Sequence, residues 1–384
     1  MKEKIFQNPF VYGKVVQGED FFDRVEERKR LLNLLSGKNN ILVTGDRRIG
    51  KTSLLIHCLN RLEKKGVSTF YFNFDPITSP QSFIERYTSL FTKKIPFSKK
   101  ILQTIKTGLK SLKLNIDIDE SGSPTASINW DGINKITPKT VQEVLSLPQV
   151  LAKQRNERFI VCFDEFQAAQ EIENINMISE MRSELQLHDR ISYVFMGSET
   201  KILDQLFSSP NEKFFNSSMK FHVDLISRDD FTIFIQDNFK TRNVSIPEEI
   251  CEIIYNWGND IPANIQHLCS CLWNFLPLNA HIVKDKTIAD VIDQEIENRD
   301  QLYLQLWQAI GDPKDHLILK RLAEQRDLAV SSSEFCSPLR MNATTITRRL
   351  QKISRQTRGS IIHLRASGYV FSDPFFQEWI RKKT

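Results

Sequence analysis

Three short stretches carry the residue types that could act on a phosphate chain. The first, Gly45-Asp46-Arg47-Arg48-Ile49-Gly50-Lys51-Thr52-Ser53, fits G-x-x-x-x-G-K-[ST]. That spacing lets backbone N–H groups turn toward an anion, brings Lys51 to the β- and γ-phosphates, and sets the Thr52 hydroxyl beside Mg²⁺. The second is Asp164-Glu165, at the end of an apolar run. Asp164 is expected to hold Mg²⁺ through water beside Thr52, and Glu165 to polarise a water for in-line attack on the γ-phosphate. A helix-capping or surface role is the alternative for Glu165. The third is Ser198, at the tip of a later apolar run, which either senses the γ-phosphate or caps structure. Glu165, Lys51 and Ser198 are thus the catalytic candidates, Gly45 to Ser53 the nucleotide-binding ones, and Thr52 with Asp164 the metal-holding pair.

Such groups need rigid elements behind them. Ile41-Leu42-Val43-Thr44 reads as a buried strand, and Leu54 to Leu62 as the first turns of a helix whose positive end faces the loop. Val25–Leu35 is an amphipathic helix, Val67–Phe74 a second strand, and Ser82–Phe91 and Thr140–Gln154 are helices. Arg158–Gln167 contains a third strand, Ile175–Leu187 a helix, Ile191–Ser198 a fourth strand and Met219–Ile226 a fifth. Unbroken apolar strands alternating with helices predict a parallel sheet with right-handed crossovers. The loop follows the first strand and the acids follow the third, which fits a sheet with the fourth strand between them. Residues 96–140 break this pattern. Leu112–Asp119 and Thr125–Trp130 alternate with period two, so a β-hairpin at about 108–132 is expected as an insertion, either contacting a partner or serving as an ornament.

From Arg228 onward the periodicity is helical: Phe231–Phe239, Pro247–Trp257, Asn264–Phe275 and Ile288–Ile310 suggest a helical lid or linker bundle. His316–Gln325, Ser331–Leu339 and Thr344–Arg355, followed by Ile361–Leu364 and Tyr369–Phe371, follow the plan of a winged helix. The expected domains are therefore 1–227, 228–312 and 313–384, and 384 residues fit two or three. Charge is uneven. Ten basic residues from Arg340 onward face two acidic ones, a net +8 against +5 for the whole chain. Thr344, Thr345, Thr347, Arg348 and Arg349, on the third of these helices, are the candidates for contacting DNA. The opposing reading makes this segment an internal regulator with solvated charges. A 40% hydrophobic, 26% charged composition is that of a soluble globular protein. No apolar run approaches the roughly 18 residues of a membrane span, and the N-terminus lacks an apolar signal core. Of six scattered cysteines, Cys58 and Cys162 fall in core elements and Cys269 and Cys271 read as buried thiols rather than a zinc site, so a cytoplasmic setting is expected.

The motifs together resemble the archaeal-type ATPases of the STAND and AAA+ P-loop class. Gly45 to Leu55 is similar to their G-x-R-R-x-G-K-T-S-L-L, and Phe22-Asp23-Arg24 with Glu26 to their F-x-D-R-E-x-E. Phe163 to Gln167 resembles D-E-F-Q, and Gly197-Ser198 the sensor strand. Gly258 to Pro262 resembles the lid turn, and Asp373-Pro374-Phe375-Phe376 the closing D-P-x-F. Two positions depart from the pattern: Val25 precedes Glu26, and the turn reads G-N-D-I-P.

That resemblance implies an α/β fold, a P-loop NTPase parallel sheet of the ASCE/AAA+ type followed by an α-helical lid and a winged helix. It also implies ATP with Mg²⁺, bound between sheet domain and lid, with Phe22, Asp23, Arg24 and Pro262 near the adenine. No guanine-reading Asn-Lys-x-Asp motif is present, which argues against a GTPase. No arginine finger is assigned; Arg182, Arg190 and Arg228 are candidates. The leading expectation is a Mg-ATP-dependent conformational switch whose hydrolysis is slow unless a neighbouring subunit, through self-association, or a protein partner supplies the missing positive charge. The alternative is a DNA-binding winged-helix protein regulated by ATP.

Overall fold

A computed structural model describes residues 7–16, 18, 21, 22, 24–95, 112–118, 124–130, 135–198, 200–209, 214, 216–326, 328–357, 359–365 and 368–384. The chain forms two compact units, one of residues 24–46 and 51–224, the other of residues 1–23, 47–50 and 225–384.

The first unit is built on a five-stranded sheet. In chain order it contains α1 (Val25–Ser36), β1 (Ile41–Thr44), α2 (Lys51–Glu63), β2 (Ser68–Asn73) and α3 (Pro80–Lys94). There follow β3 (Lys113–Ile118), β4 (Pro124–Asn129), α4 (Pro138–Arg155), β5 (Phe159–Asp164), α5 (Met177–Leu185), β6 (Ile191–Met196), α6 (Thr200–Ser208) and β7 (Met219–His222). The sheet order is β2-β5-β6-β1-β7, and every pairing in it is parallel. The expected fourth strand, β6, therefore lies between β1 and β5. β1, β5 and β6 are buried along their whole length, which explains why they read as apolar runs without alternation. Capping boxes at Ser79 and Thr137, each followed by proline at the first helical position, start α3 and α4.

The inserted hairpin is present: β3 and β4 pair antiparallel from Lys113↔Asn129 to Ile118↔Pro124. Residues 108–111, 119–123, 131 and 132 of the expected insertion lie outside the described residues. The fifth strand ends at His222, four residues short of the expected Ile226.

Phe163 anchors this unit's core. It is fully buried and its ring meets those of Phe72, Phe74, Tyr87, Phe166, Tyr193 and Phe195 at centroid distances of 5.6–6.3 Å. Phe163→Ala is expected to destabilise folding by about 3–5 kcal/mol, because the rings around the cavity cannot all collapse into it. Chemical denaturation with and without the substitution measures this.

The second unit is helical. It contains α7 (Arg228–Lys240), α8 (Glu248–Trp257), α9 (Pro262–Phe275), α10 (Asp285–Asn298), α11 (Asp300–Ile310), α12 (Pro313–Glu324), α13 (Ser333–Leu339) and α14 (Ala343–Gln356). It ends with the antiparallel ribbon β8 (Ile362–Arg365) and β9 (Gly368–Phe371), then α15 (Pro374–Lys383). The periodicity over Ile288–Ile310 is that of two helices, α10 and α11, joined at Arg299 (φ −109°, ψ 7°). α15 is an element that sequence analysis did not assign. The Asp373 carboxylate accepts from the Phe375 N–H at 2.9 Å to cap it, and Pro374 opens it.

One apolar cluster runs through this unit, from Phe231 and Ile254 to Phe375 and Ile380. Among the described residues, the cluster takes side chains from both sides of residue 312, such as Tyr303 and Ile318. The N-terminal arm joins it. Phe10 packs on Phe239 (5.1 Å) and Trp273 (6.1 Å), and Asn8 Nδ2 donates to Ser270 Oγ at 2.9 Å. Among the described residues, no helix is long and apolar enough to cross a membrane.

Candidate functional site

The loop after β1 has the backbone that the glycine spacing calls for. Gly45 has φ 144° and Gly50 φ 95°, conformations that cost a side-chain-bearing residue dearly. Arg48 also takes a left-handed φ of 64°, at a cost of about 1–2 kcal/mol. Left-handed residues between right-handed ones are the units from which anion-attracting backbone nests are built. α2 begins at Lys51, which adds its helix N-terminus.

Lys51 is only 7% exposed, and its ammonium donates to the carbonyls of Gly45 (3.0 Å) and Asp46 (2.7 Å). The side chain thus lies along its own loop. Thr52 Oγ donates to Asp164 Oδ2 at 3.0 Å, so the two residues expected to share a metal meet, although 112 residues separate them. A hydroxyl and a carboxylate oxygen, in a pocket where Asp164 is 5% exposed, form a hard-oxygen donor set that fits Mg²⁺. Burial raises the Asp164 carboxyl above its ordinary range. The bond from Tyr71 opposes that rise, and the neighbouring Glu165 charge adds to it.

Glu165 follows immediately, with φ 48°. The left-handed turn separates its carboxylate from that of Asp164, whose Oδ1 accepts from the Glu165 N–H at 2.9 Å. Glu165 Oε2 accepts from both the backbone N–H (3.2 Å) and the Oγ (2.8 Å) of Ser198. Ser198 thus belongs to the site as a donor to the candidate base.

Two participants carried no assigned role in the sequence. The Tyr71 hydroxyl donates to Asp164 Oδ2, and Gln167 Nε2 donates to Glu165 Oε2. The only available signal for Tyr71 was topological, since β2 lies beside β5 in the register Tyr71↔Cys162. Gln167 was visible as a motif letter without a task.

Other candidates stand elsewhere. Phe22 stacks on Phe234 (3.7 Å between centroids, 12° between planes), so one ring face is covered within the helical unit. Arg24 is 3% exposed, pairs with Glu27 at 2.5 Å and donates to the Asp224 carbonyl at 2.9 Å. Pro262 is the buried first residue of α9. Asp23 lies outside the described residues. The three finger candidates each have local company: Arg182 over Phe214 (5.9 Å), Arg190 with Asn156 (3.2 Å), and Arg228 with Glu252 (2.5 Å).

Within the helical unit, which includes 47–50, Arg48 Nη1 donates to the Ser372 carbonyl. Gly359 approaches Arg47 so closely that a Cβ there would lie 2.6 Å from Arg47 Nη1.

Thr344, Thr345 and Arg348 are exposed on α14, and Thr347 is half-buried. Arg349 is taken up by Asp312 (2.8 Å) and Asp315 (2.6 Å). The basic end of the chain is likewise matched by earlier acids, with Lys382 paired to Asp293 and Lys383 to Glu297 (2.7 Å). These acids lie outside the segment from Arg340 onward, so part of its +8 is matched locally by earlier residues.

No curated protein sequence matches the chain. Among solved structures, the Walker-type ATPase PABY2304 of Pyrococcus abyssi is 18% identical, with a TM-score of 0.58 over 97% of this chain and 99% of that one. The Aeropyrum pernix ORC2 protein, solved as ADPNP-ADP complexes, is 14% identical, with a TM-score of 0.53 over 95% of each chain. At such identities the likeness is one of fold, and the fold is that of an α/β P-loop NTPase. A family model described as an ATPase domain predominantly from Archaea matches residues 21–268. As that match spans well over half of the chain, the protein belongs to this family of archaeal-type ATPase domains.

Proposed function

We propose that the protein is a Mg-ATP hydrolase that acts as a nucleotide-dependent conformational switch and turns over slowly until another molecule supplies a positive charge. The observation that carries the reading is the 3.0 Å bond from Thr52 to Asp164, with Lys51 before the threonine and Glu165 after the aspartate. Lys51 would leave its loop carbonyls for the phosphates, and Thr52 with Asp164 would hold Mg²⁺. When bound, Mg²⁺ neutralises charge shared by the β- and γ-phosphates. Glu165 would orient a water and accept its proton. Phe22, Arg24 and Pro262 remain the residues for adenine by family resemblance. Slow turnover is expected because an arginine finger contributes about 10³–10⁵ in rate, while Arg182, Arg190 and Arg228 are held by neighbours.

The switch part rests on Arg48. It sits three residues before Lys51 and is bonded to Ser372, in the segment that leads into α15. We read 228–312 as the lid and 313–384 as a winged helix, the part that would move with nucleotide state. A phosphate drawn into the loop would compete with Ser372 for Arg48. Hydrogen exchange of the backbone at 359–365 and 368–374 tests this. Exchange should be slow in the nucleotide-free protein, faster with Mg-ATP, and already fast without nucleotide in Arg48→Ala. Equal exchange in all three samples would remove the switch.

A further inference from the structure

We propose that Gln167 is a positioning residue that aims the Glu165 carboxylate, and that Gly197 exists to make room for it; this rests on the hydrolytic reading above. Gln167 lies two residues beyond Glu165, in the 3-10 turn Phe166–Glu171, and is 9% exposed between the buried Phe166 and Ala168. Its Nε2 donates to Glu165 Oε2. The same oxygen accepts the Ser198 N–H (3.2 Å) and Oγ (2.8 Å). Three donors on one oxygen, coming from the turn after β5 and from the end of β6, fix the carboxylate's direction. They leave Oε1 as the oxygen for a water.

The other end of the amide shows that this placement is imposed. Gln167 Oε1 is buried without a hydrogen-bond partner among the described residues. A buried amide oxygen in that condition is unfavourable, so the contact with Glu165 and the packing hold the side chain there. A Cβ at residue 197 would come within 2.0 Å of that oxygen and 3.2 Å of Leu203 Cδ1. Gly197 does not have a left-handed φ, so what glycine supplies here is room for the amide, which a Cβ would displace. The glycine of the sensor strand and the glutamine after the acidic pair are two halves of one device.

The test is a double-mutant cycle on the full chain with Mg-ATP, reading kcat and nucleotide affinity separately. Gln167→Leu should lower kcat about 10- to 100-fold, as expected for a misaimed catalytic group, with affinity within about twofold. Gly197→Ala should do the same by evicting the amide. The double variant should be no slower than the worse single, because both substitutions remove one contact. Unchanged kcat in Gln167→Leu, or losses that multiply in the double variant, would overturn the positioning role. If Gln167→Leu does not fold, Gly197→Ala alone decides: retained affinity with lost turnover supports the role, and unchanged turnover refutes it. A wild type that binds ATP but hydrolyses it no faster than Lys51→Ala overturns the hydrolytic reading itself.

Discussion

Glu165→Gln is expected to bind ATP as the wild type does and to lose turnover by about 10²- to 10⁴-fold, the range of a positioned general base. The substitution is close in volume and keeps an oxygen that can accept from Ser198, so the turn at φ 48° has no reason to move. What it removes is the capacity to take a proton. Because Glu165 and Asp164 face different partners, the loss should leave the Thr52–Asp164 bond intact. Fluorescent-nucleotide titration beside phosphate-release kinetics separates the two quantities. Undiminished turnover would remove Glu165 as the base.

Lys51→Ala should act the other way, on binding. An ammonium that engages phosphate from a side chain only 7% exposed is worth about 2–5 kcal/mol when truncated, a roughly 30- to 5000-fold rise in Kd. Stability should change less. The two carbonyls that Lys51 contacts, Gly45 O and Asp46 O, belong to the adjoining loop. Calorimetric titration of ATP, with a melting curve as control, measures both effects. Binding retained at wild-type strength would mean that the loop is not the phosphate site.

The sheet and its loop were legible because their signals are local. Ile41–Thr44 and Phe159–Asp164 are buried on both faces and so read as apolar runs, and the G-x-x-x-x-G-K-T pattern encodes backbone turns directly. The alternating hairpin was legible for the same reason, since period two is a property of neighbouring residues. Contacts between distant segments were not. Tyr71 reaches Asp164 only because β2 lies beside β5, which no spacing encodes. The partners of the C-terminal charges were not legible for the same reason: Arg349 and Lys383 look unmatched along the chain, yet Asp315 and Glu297 meet them in space. α15 was not assigned from sequence, although Asp373 of the D-P-x-F motif is its cap and Pro374 its first residue.

The most direct test of the account is steady-state phosphate release from ATP by wild type and Lys51→Ala, with Mg²⁺ and then with excess chelator, across a range of protein concentrations. Release that is slow, dependent on Mg²⁺ and absent in Lys51→Ala is the predicted result, with specific activity rising with concentration if a second copy supplies the missing charge. Phosphate release by wild type no faster than by Lys51→Ala at every concentration would contradict the assignment of this protein as a Mg-ATP hydrolase.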